Sequence, residues 1–468
     1  MKKLFLTLFI FTFVFAFYSC NPKVRPDQKK ELPALKVSAN HHFLIDETGN
    51  PFFWLGDTGW LLFSKLNRED AEKYLDNRAK KGFNVIQVMM LHSLSAIDYY
   101  GDSALINQDV ATPCITEGNS FKDSTQYDYW DNMDFVIDKA AEKGIYMALV
   151  PVWGGNVKSG HVKRSDAAVY ADWIANRYKD RSNIIWVNGG DILGSDSLKI
   201  WNTIGSTIRN TDSKHLITFH PRGRMTSSVW FHNENWLDFN MFQSGHRRYD
   251  QDDSEWNFGE DNWKYVNMDY AKTPTKPTID GEPSYEGIPQ GLHDTLQPYW
   301  KDADVRRYAY WSVFAGAMGY TYGNNAVMQF HVPMDKGSAY GAKEYWFDAI
   351  NDQGAGEMQY LKKLMLSRPF FERVPDQTLI DGDNGQKYEH LMATRGKDYA
   401  MIYTYTGRNI PVHMGKIGGE KVKASWFKPT NGEINEIGEF DNIGTHEFDP
   451  PGEPTNGNDW VLLLDSVK

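Results

Sequence analysis

Short apolar runs alternate with amphipathic helical patterns along most of the chain, and this alternation restricts the possible fold more than any other feature. The runs that predict strands are 51–58, 83–91, 145–153, 183–191, 215–222, 239–246, 277–283 and 318–323. Helical patterns lie between most of them, most clearly at 68–82, 129–144, 165–180, 198–212 and 303–316. Apolar strands separated by helices are typical of parallel βαβ units. Eight such units predict a (β/α)8 barrel, an α/β fold, with insertions such as 92–128. A doubly wound open sheet is the alternative, but no Gly-rich phosphate-binding loop follows the first strand.

The pattern changes near residue 376. The segment 376–468 has short alternating stretches, frequent Gly and Asn turn signals and no helical period. Such a pattern predicts a small all-β domain, most simply a β-sandwich. We therefore expect a barrel domain over 36–375, followed by this C-terminal domain.

The first residues have the features of an export signal. Two lysines precede an apolar run that ends at Ser19 and Cys20, as in a secretory signal peptide. A Cys at the end of this run resembles a bacterial lipoprotein cleavage site, which would make Cys20 the lipidated first residue. The polar segment 21–35 reads as a tether. We expect an exported lipoprotein on the periplasmic or cell-surface side, with the lipid anchor as its only membrane contact, because no other apolar run could span a bilayer. The second cysteine, Cys114, is predicted to be an inert single thiol.

The net charge and the number of aromatic residues limit which molecules the protein is expected to bind. The net charge is −11, which disfavours a nucleic-acid partner because phosphate binding needs clustered positive charge. The chain has 16 Trp, 25 Tyr and 26 Phe. Rings of this number suit a sugar-binding cleft, where aromatic faces pack on the CH faces of pyranoses, although a large aromatic core explains the composition equally well.

In a barrel, catalytic groups lie where strands end, at the C-terminal face. The polar and aromatic residues at the predicted strand ends are Asp57, His92, Trp153, Asn188, Asp191, His220, Arg222, Gln243, His246, Glu282 and Tyr285. Two carboxylates stand out, Asp191 after the fourth strand and Glu282 after the seventh. Glycoside cleavage needs such a pair: one group donates a proton to the leaving oxygen, and the other is a nucleophile or base. A lone strand-end carboxylate would more often cap a helix or form an ion pair, but two in one barrel favour catalysis.

The histidines leave a second chemistry open. His92, His220 and His246 could ligate a metal ion, as in metal-dependent barrel hydrolases. Such enzymes usually supply a His-x-His pair from the first strand, which has WLGDT instead. We therefore expect no metal or other cofactor, and hydrogen bonds from these histidines to sugar hydroxyls.

Each of the remaining strand-end residues has two possible roles. Arg222 could bind the carboxylate of a uronic acid or pair with a catalytic carboxylate. Trp153 and Tyr285 are stacking platforms or core residues. Asp57 binds a terminal hydroxyl or caps the following helix. We include Asn188 and Gln243 among the expected substrate-binding residues.

Four segments resemble the apiosidase-like glycoside hydrolases, family 140: WLGDTGW (54–60), KGFNVIQVMML (81–91), WVNGGD (186–191) and IDGEPSYEG (279–287). The resemblance covers 36–375 and implies a retaining glycosidase of the (β/α)8 type. It places Asp191 as the acid/base and Glu282 as the nucleophile. It also implies an apiose-containing pectic substrate, as in rhamnogalacturonan II. The tail resembles the β-domain with a collagen-binding label that follows such barrels, but this acidic sequence offers nothing that supports collagen as a ligand.

These observations predict a retaining glycoside hydrolase that acts on oligosaccharides from plant polysaccharides, with oligo- or polysaccharide as its partner. The alternative from another class is a non-catalytic carbohydrate-binding lipoprotein on the same barrel. The presence of both carboxylates favours the enzyme.

Overall fold

The computed structural model describes residues 31–467. Its strands are β1 (Leu35–Val37), β2 (Leu44–Asp46), β3 (Pro51–Phe52), β4 (Trp54–Thr58), β5 (Val85–Met89), β6 (Tyr146–Val150), β7 (Ile184–Ile192), β8 (Ile217–Pro221), β9 (Met225–Thr226), β10 (Asn240–Gln243), β11 (Thr278–Asp280), β12 (Gly319–Tyr322), β13 (Val374–Pro375), β14 (Met392–Arg395), β15 (Tyr399–Thr404), β16 (Ile410–His413), β17 (Lys421–Phe427), β18 (Ile434–Asp441), β19 (Thr445–Phe448) and β20 (Trp460–Val467). Its α-helices are α1 (Leu62–Lys65), α2 (Arg68–Lys80), α3 (Tyr129–Glu142), α4 (Gly154–Lys158), α5 (Arg164–Tyr178), α6 (Leu198–Thr211), α7 (Ser228–Phe231), α8 (Trp263–Tyr270), α9 (Asp302–Phe314), α10 (Asn325–Met328), α11 (Trp346–Ala349) and α12 (Gln353–Leu366).

The predicted leader, Cys20 and most of the predicted tether lie outside the described residues. The last part of that tether packs on the barrel: Leu32 and Leu35 are buried, and the Pro33 carbonyl accepts a hydrogen bond from the Tyr146 hydroxyl. No helix within residues 31–467 is both long enough and apolar enough to cross a bilayer.

A small antiparallel sheet, β1-β2-β3, precedes the barrel. The predicted single strand 51–58 is divided between β3, which pairs with β2, and β4, which pairs with β5 and β12. The chain passes from one sheet to the other at Phe53, so this single apolar run contributes a strand to each of the two sheets.

The eight predicted βα units form a barrel. The main sheet has the order β8-β7-β6-β5-β4-β12-β11-β10-β9. In this order, every adjacent pair of strands from β8 at one end through to β10 is parallel. The short β9, at the other end, pairs antiparallel with β10. The ends of this sheet meet, because the Thr218 side chain of β8 donates to the Phe239 carbonyl just before β10, at 2.7 Å. The predicted (β/α)8 architecture is confirmed.

Amphipathic helices cover the outside of the barrel. α3 begins at a capping box, in which the Asp128 side chain accepts from the N–H of Asp131 and the Asp131 side chain accepts from the N–H of Asp128. α2 begins at Asn67, whose side chain accepts from the Asp70 N–H. Both caps satisfy amides that the helix itself leaves unpaired. These two helices therefore begin where the sequence pattern predicts.

The C-terminal domain is all-β, as predicted. One antiparallel sheet has the order β13-β14-β15-β20-β17-β18, and β16 pairs with β19 in a second, two-stranded sheet. An apolar core that includes Leu391, Val412 and Leu462 fills the domain.

A buried ion cluster joins this domain to the barrel. Arg306 of α9 donates from Nε and Nη2 to the two carboxylate oxygens of Asp459, both at 2.9 Å. Arg306 also binds Asp302 and Glu357. Both Arg306 and Asp459 are at most 3% exposed, so the buried charge of Asp459 depends on Arg306, which is shared among three carboxylates.

Candidate active site

A cavity of about 350 Å³ opens at the C-terminal end of the barrel strands. The residues lining it are Trp60, Leu61, Met89, His92, Trp153, Asp191, His246, Glu282, Tyr285, Ile288, Met328, Gln329, Ala339 and Tyr340. The structure thus brings six of the predicted site residues to one cavity: His92, Trp153, Asp191, His246, Glu282 and Tyr285. A mostly apolar pocket with a few polar groups is the usual form of a small-molecule site.

Asp191 reaches this cavity because β7 ends in a bulge. The β7–β8 register shifts between Gly189 and Ile192, and Gly189, Gly190 and Asp191 all have positive φ, at 88°, 108° and 46°. A Cβ on Gly190 would lie 2.5 Å from the Trp153 ring, so only glycine fits there. A non-glycine residue in the left-handed region is strained, and such strain concentrates at functional sites.

Glu282 follows β11 on a backbone that is fixed from several sides. The Gly281 carbonyl accepts from Gln87 Nε2 at 2.6 Å, and the Glu282 carbonyl accepts from the Gly245 N–H at 3.1 Å. A Cβ on Gly281 would lie 2.5 Å from Met241 Sδ. The contacts around its backbone therefore set the direction in which the Glu282 side chain points.

Two histidines flank the Glu282 carboxylate. His246 Nε2 lies 3.0 Å from Oε1 and His220 Nε2 lies 3.1 Å from Oε2. The other ring nitrogens accept hydrogen bonds: His246 Nδ1 from the Tyr285 N–H and His220 Nδ1 from the Asp191 N–H. An Nδ1 that accepts carries no proton, so each neutral ring has its proton on Nε2, facing Glu282. His220 thereby links the backbone of one carboxylate to the side chain of the other.

The two carboxylates have opposite pKa shifts. Burial and the negative charge of Glu282 raise the pKa of Asp191 to about 6. Burial alone would raise the pKa of Glu282, but the close His220 ring and the hydrogen bond from His246 reverse this and lower it below the ordinary value. Asp191 faces the open cavity, yet protein surrounds it on enough sides to weaken its hydration. At mildly acidic pH the site can therefore hold one protonated and one ionised carboxyl group.

Two predicted site residues point away from the cavity. Asp57 is fully buried, and its Oδ2 accepts from Arg78 Nε at 2.5 Å and from the Tyr74 hydroxyl at 2.6 Å. Asn188 donates to the Trp201 carbonyl of α6 at 2.8 Å. Successive side chains of a strand alternate between its two faces, and these two residues face the surrounding helices. Asp57 neither caps a helix nor contacts the cavity.

The structure keeps three other predicted residues out of the cavity lining. Arg222 is exposed, and among the described residues no ion pair joins it to Asp191 or Glu282. Gln243 is buried at the end of β10. His220, which is fully buried, lies behind Glu282 and acts on the site through that carboxylate.

Trp60 and Tyr340 are site residues that the strand-end analysis missed. Trp60 Nε1 donates to the Tyr285 hydroxyl at 3.1 Å, and its ring packs against those of Trp153 and His220. Burial, followed by the charges of Glu282 and Asp191, raises the pKa of Tyr340, because its hydroxyl lies in the field of both carboxylates. Trp60 belongs to the WLGDTGW motif, which was a usable signal. Tyr340 lies in the segment between α10 and α11, and no strand-end pattern marks it.

Within residues 31–467, no group of three or more His, Cys, Asp or Glu side chains is arranged so that it could hold a metal ion. His92 contacts the Ser64 hydroxyl, 3.0 Å from its Nδ1, at the rim of the cavity. Cys114 is a half-buried free thiol.

Comparison with known proteins agrees with this geometry. The family model “Apiosidase-like, catalytic domain” matches residues 38–372, and “Putative collagen-binding domain of a collagenase” matches residues 374–465. A solved structure described as “Glycoside hydrolase” is 49% identical, with a TM-score of 0.87, and the match covers 93% of this chain and 97% of that chain. A glycoside hydrolase family 5 structure from Bacteroides vulgatus ATCC 8482 is 46% identical over 92% of this chain and 93% of that chain, with a TM-score of 0.87. A search of curated proteins found no match.

Fold, cavity and relatives together define a TIM-barrel glycoside hydrolase. The first family model spans well over half of the chain. The chain therefore belongs to the apiosidase-like family, and the predicted family resemblance is confirmed.

Proposed function

We propose that the protein is a retaining glycoside hydrolase in which Glu282 is the nucleophile and Asp191 is the acid/base. The observation that carries the two roles is that carboxyl groups with opposite pKa shifts line one cavity, and retention is proposed from the resemblance to the apiosidase-like family. A nucleophile must be ionised, and a general acid must hold its proton near the working pH.

In the first step, Glu282 Oε attacks the anomeric carbon and the glycosidic C–O bond breaks. The proton of Asp191 moves to the leaving oxygen, so a neutral alcohol departs and a glycosyl ester of Glu282 remains. In the second step, ionised Asp191 takes a proton from water, and the water oxygen attacks the anomeric carbon. Glu282 leaves as a carboxylate, and two inversions give net retention.

The cavity supports a neutral sugar at the position of cleavage. Among the described residues that line it, none is Lys or Arg, and Arg222, the predicted reader of a uronic acid, is exposed. Trp60, Trp153 and Tyr340 supply aromatic surface for the apolar face of a sugar. We propose an oligosaccharide of plant pectin as the substrate, with a neutral branch sugar such as apiose in the cavity, in keeping with the name of the family.

The decisive experiment separates the roles of the two carboxylates. Asp191→Ala should lose far more activity on a natural oligosaccharide than on an aryl glycoside, because a phenolate of low pKa leaves without a proton. Added azide should restore turnover of the aryl glycoside and give a glycosyl azide with the substrate's anomeric configuration, identified by NMR. Glu282→Ala with azide should give the opposite anomer.

Equal losses on both substrates, without a retained azide product, would remove Asp191 from the acid/base role. Asp196→Ala is the matched control, since Asp196 lies in the loop that follows β7 but outside the cavity lining. This variant should behave as the wild type on both substrates.

We further propose that the protein is exported and held at a membrane by a lipid on Cys20. The support is the sequence of residues 1–20, a basic start and an apolar run that end in this cysteine. Two or three acyl chains give stable attachment. Cys20→Ser should move the protein from the membrane fraction to the soluble periplasmic fraction, whereas Cys114→Ser should not. Unchanged fractionation of Cys20→Ser would overturn the proposal.

A further inference from the structure

The turn that brings Tyr340 to the catalytic cavity has an unusual backbone. Tyr340 and Gly341 have consecutive positive φ angles, 53° and 57°. With a ψ of 29°, Tyr340 lies in the left-handed region. A tyrosine in this region is strained, and such strain persists only where surrounding contacts hold it. Contacts from other segments must therefore hold this turn in place.

Gln329, the residue after α10, holds the turn from one side. Its Oε1 accepts from the Ala339 N–H at 2.7 Å, and its Nε2 donates to the Ala339 carbonyl at 3.1 Å. The same Nε2 donates to the Asn325 carbonyl at 2.8 Å, so both of its protons are engaged. Gln329 also lines the cavity, but its amide has no donor left for a ligand.

Two further side chains hold the carbonyl groups that follow Ala339. Asn325 Nδ2 donates to the Tyr340 carbonyl at 3.0 Å and to the Gly287 carbonyl at 2.8 Å, so it connects the turn to the segment after β11. The Tyr299 hydroxyl donates to the Gly341 carbonyl at 3.3 Å. Side chains thus bind three successive carbonyls of the turn. A binding group that is fixed before the ligand arrives costs less free energy to order on binding.

The Tyr340 hydroxyl is the free polar group of this turn. It has no hydrogen-bond partner within residues 31–467, yet unlike the buried unpaired polar atoms of these residues it is accessible to solvent. Its ring packs against that of His293, with centroids 5.4 Å apart. Burial and the charges of Glu282 and Asp191 raise its pKa, so the hydroxyl keeps its proton and can donate. A sugar between the two carboxylates shares the cavity with this donor.

We infer that the Tyr340 hydroxyl donates a hydrogen bond to the sugar held between the two carboxylates, and that Gln329 is the positioning residue that keeps it there. The inference rests on the proposed glycosidase function. It adds one substrate-binding hydroxyl and one residue that acts through it. An uncharged phenol suits a neutral sugar, whose hydroxyl oxygens accept hydrogen bonds.

The first test measures kcat/KM on a 4-nitrophenyl glycoside of a neutral pectic sugar that the wild type cleaves. Tyr340→Phe removes the hydroxyl and keeps the ring. It should lower kcat/KM about three- to tenfold, as expected for one lost hydrogen bond, with an unchanged thermal midpoint. Tyr345→Phe is the matched control, because Tyr345 is exposed and outside the cavity lining, and it should keep the wild-type rate. Wild-type kcat/KM for Tyr340→Phe would overturn the inference.

A double-mutant cycle tests the role of Gln329. Gln329→Ala should lower kcat/KM about tenfold, because the turn loses two hydrogen bonds and Tyr340 moves from its place. In the Tyr340→Ala background the same substitution should change kcat/KM less than about twofold, since no side chain is left for Gln329 to position. A merely structural role would lower the rate equally in both backgrounds, and that result would overturn the positioning role.

Gln377→Ala is the matched control for Gln329→Ala. Gln377 makes the same kind of paired contact in the C-terminal domain, where its Oε1 accepts from the Ala393 N–H at 2.6 Å and its Nε2 donates to the Leu391 carbonyl at 2.8 Å. This variant should lower the thermal midpoint without changing kcat/KM. An equal loss of kcat/KM in both glutamine variants would contradict the positioning role. If Gln329→Ala folds poorly, Tyr340→Phe still decides the inference, since it removes no contact of the turn.

Failure of the proposed function gives a different result. If the wild type cleaves neither pectic oligosaccharides nor 4-nitrophenyl glycosides, the proposed function fails. The inference is then tested by calorimetry, with the neutral oligosaccharide fraction of acid-treated pectin titrated into the wild type and into Tyr340→Phe. Weaker binding by the variant supports the inference, and equal or absent binding overturns it.

Discussion

Two buried carboxylates in this protein have partners of different kinds. Asp459 has a bidentate contact with Arg306 and a hydrogen bond from the Tyr403 hydroxyl. Glu282 has only the Nε2 atoms of His220 and His246, at 3.1 and 3.0 Å. The guanidinium of arginine is always charged and fits a carboxylate at two points, whereas each imidazole meets Glu282 through one ring nitrogen, Nε2.

This difference separates a structural carboxylate from a reactive one. At Asp459 the charge is cancelled by a permanent cation, so this carboxylate is not available as a nucleophile or a base. Glu282 has no arginine or lysine partner among the described residues, and its negative charge raises the pKa of Asp191. By favouring ionised Glu282, the two histidines preserve the negative charge that raises the pKa of Asp191.

The largest expected effect comes from removing the charge at Glu282. Glu282→Gln should lower kcat by about 10⁴-fold or more, since an amide cannot form the glycosyl ester. Substrate binding and the thermal midpoint should remain close to those of the wild type. Wild-type rates for this variant on the true substrate would remove Glu282 from the mechanism.

Removing the charge at Asp459 should have the opposite profile. Asp459→Asn leaves Arg306 buried without its bidentate partner, which should lower the free energy of unfolding by about 3 kcal/mol. The kcat of the molecules that remain folded should not change. Asp465→Asn is the control, because it breaks an ion pair with Arg368 that is more exposed and should cost about 1 kcal/mol or less. Urea unfolding measures both, and equal costs would contradict the comparison.

His246→Ala should produce an intermediate loss of activity. Without its donor, Glu282 is less well stabilised as an anion, so kcat/KM should fall about 30-fold. The pKa of Glu282 should rise, because the lost hydrogen bond favoured the ionised form, and the acid limb of the pH–rate profile should move to higher pH. A purely structural role would reduce activity without this movement. His413→Ala in the C-terminal domain is the control and should leave the profile unchanged.

The smallest effect is the pH dependence of the wild type itself. Because Asp191 must be protonated for the first step and its pKa is about 6, kcat/KM on a natural oligosaccharide should fall as the pH rises through 6. The fall should approach tenfold per pH unit. An aryl glycoside with a good leaving group should show a much weaker alkaline limb. A limb of equal steepness for both substrates would assign it to another group.

The eight strands and the two carboxylates could be predicted from the sequence because both depend on local pattern. Apolar runs mark the strands, and the barrel geometry places strand ends on one face. Asp57 and Asn188 show the limit of that argument, since a strand end has two faces and only the register in the barrel decides which side chain points inward. The imidazoles of His220 and His246 could be located at strand ends, but their orientation towards Glu282 depends on backbone donors from Asp191 and Tyr285. Tyr340 could not be predicted, because it lies in an irregular segment whose position does not follow from any periodic sequence pattern.

The contact between Arg306 and Asp459 also has a consequence for the order of events during synthesis. The two residues are 153 positions apart, and Asp459 immediately precedes β20, which pairs with both β15 and β17 in the interior of its sheet. A ribosome has therefore completed the barrel's strands well before the Asp459 carboxylate exists. Until β20 inserts, Arg306 has Asp302 and Glu357 as partners but lacks its bidentate one, and the sheet has an open slot between β15 and β17. The fold can therefore be completed only after β20, the last strand of the described residues, has been synthesised.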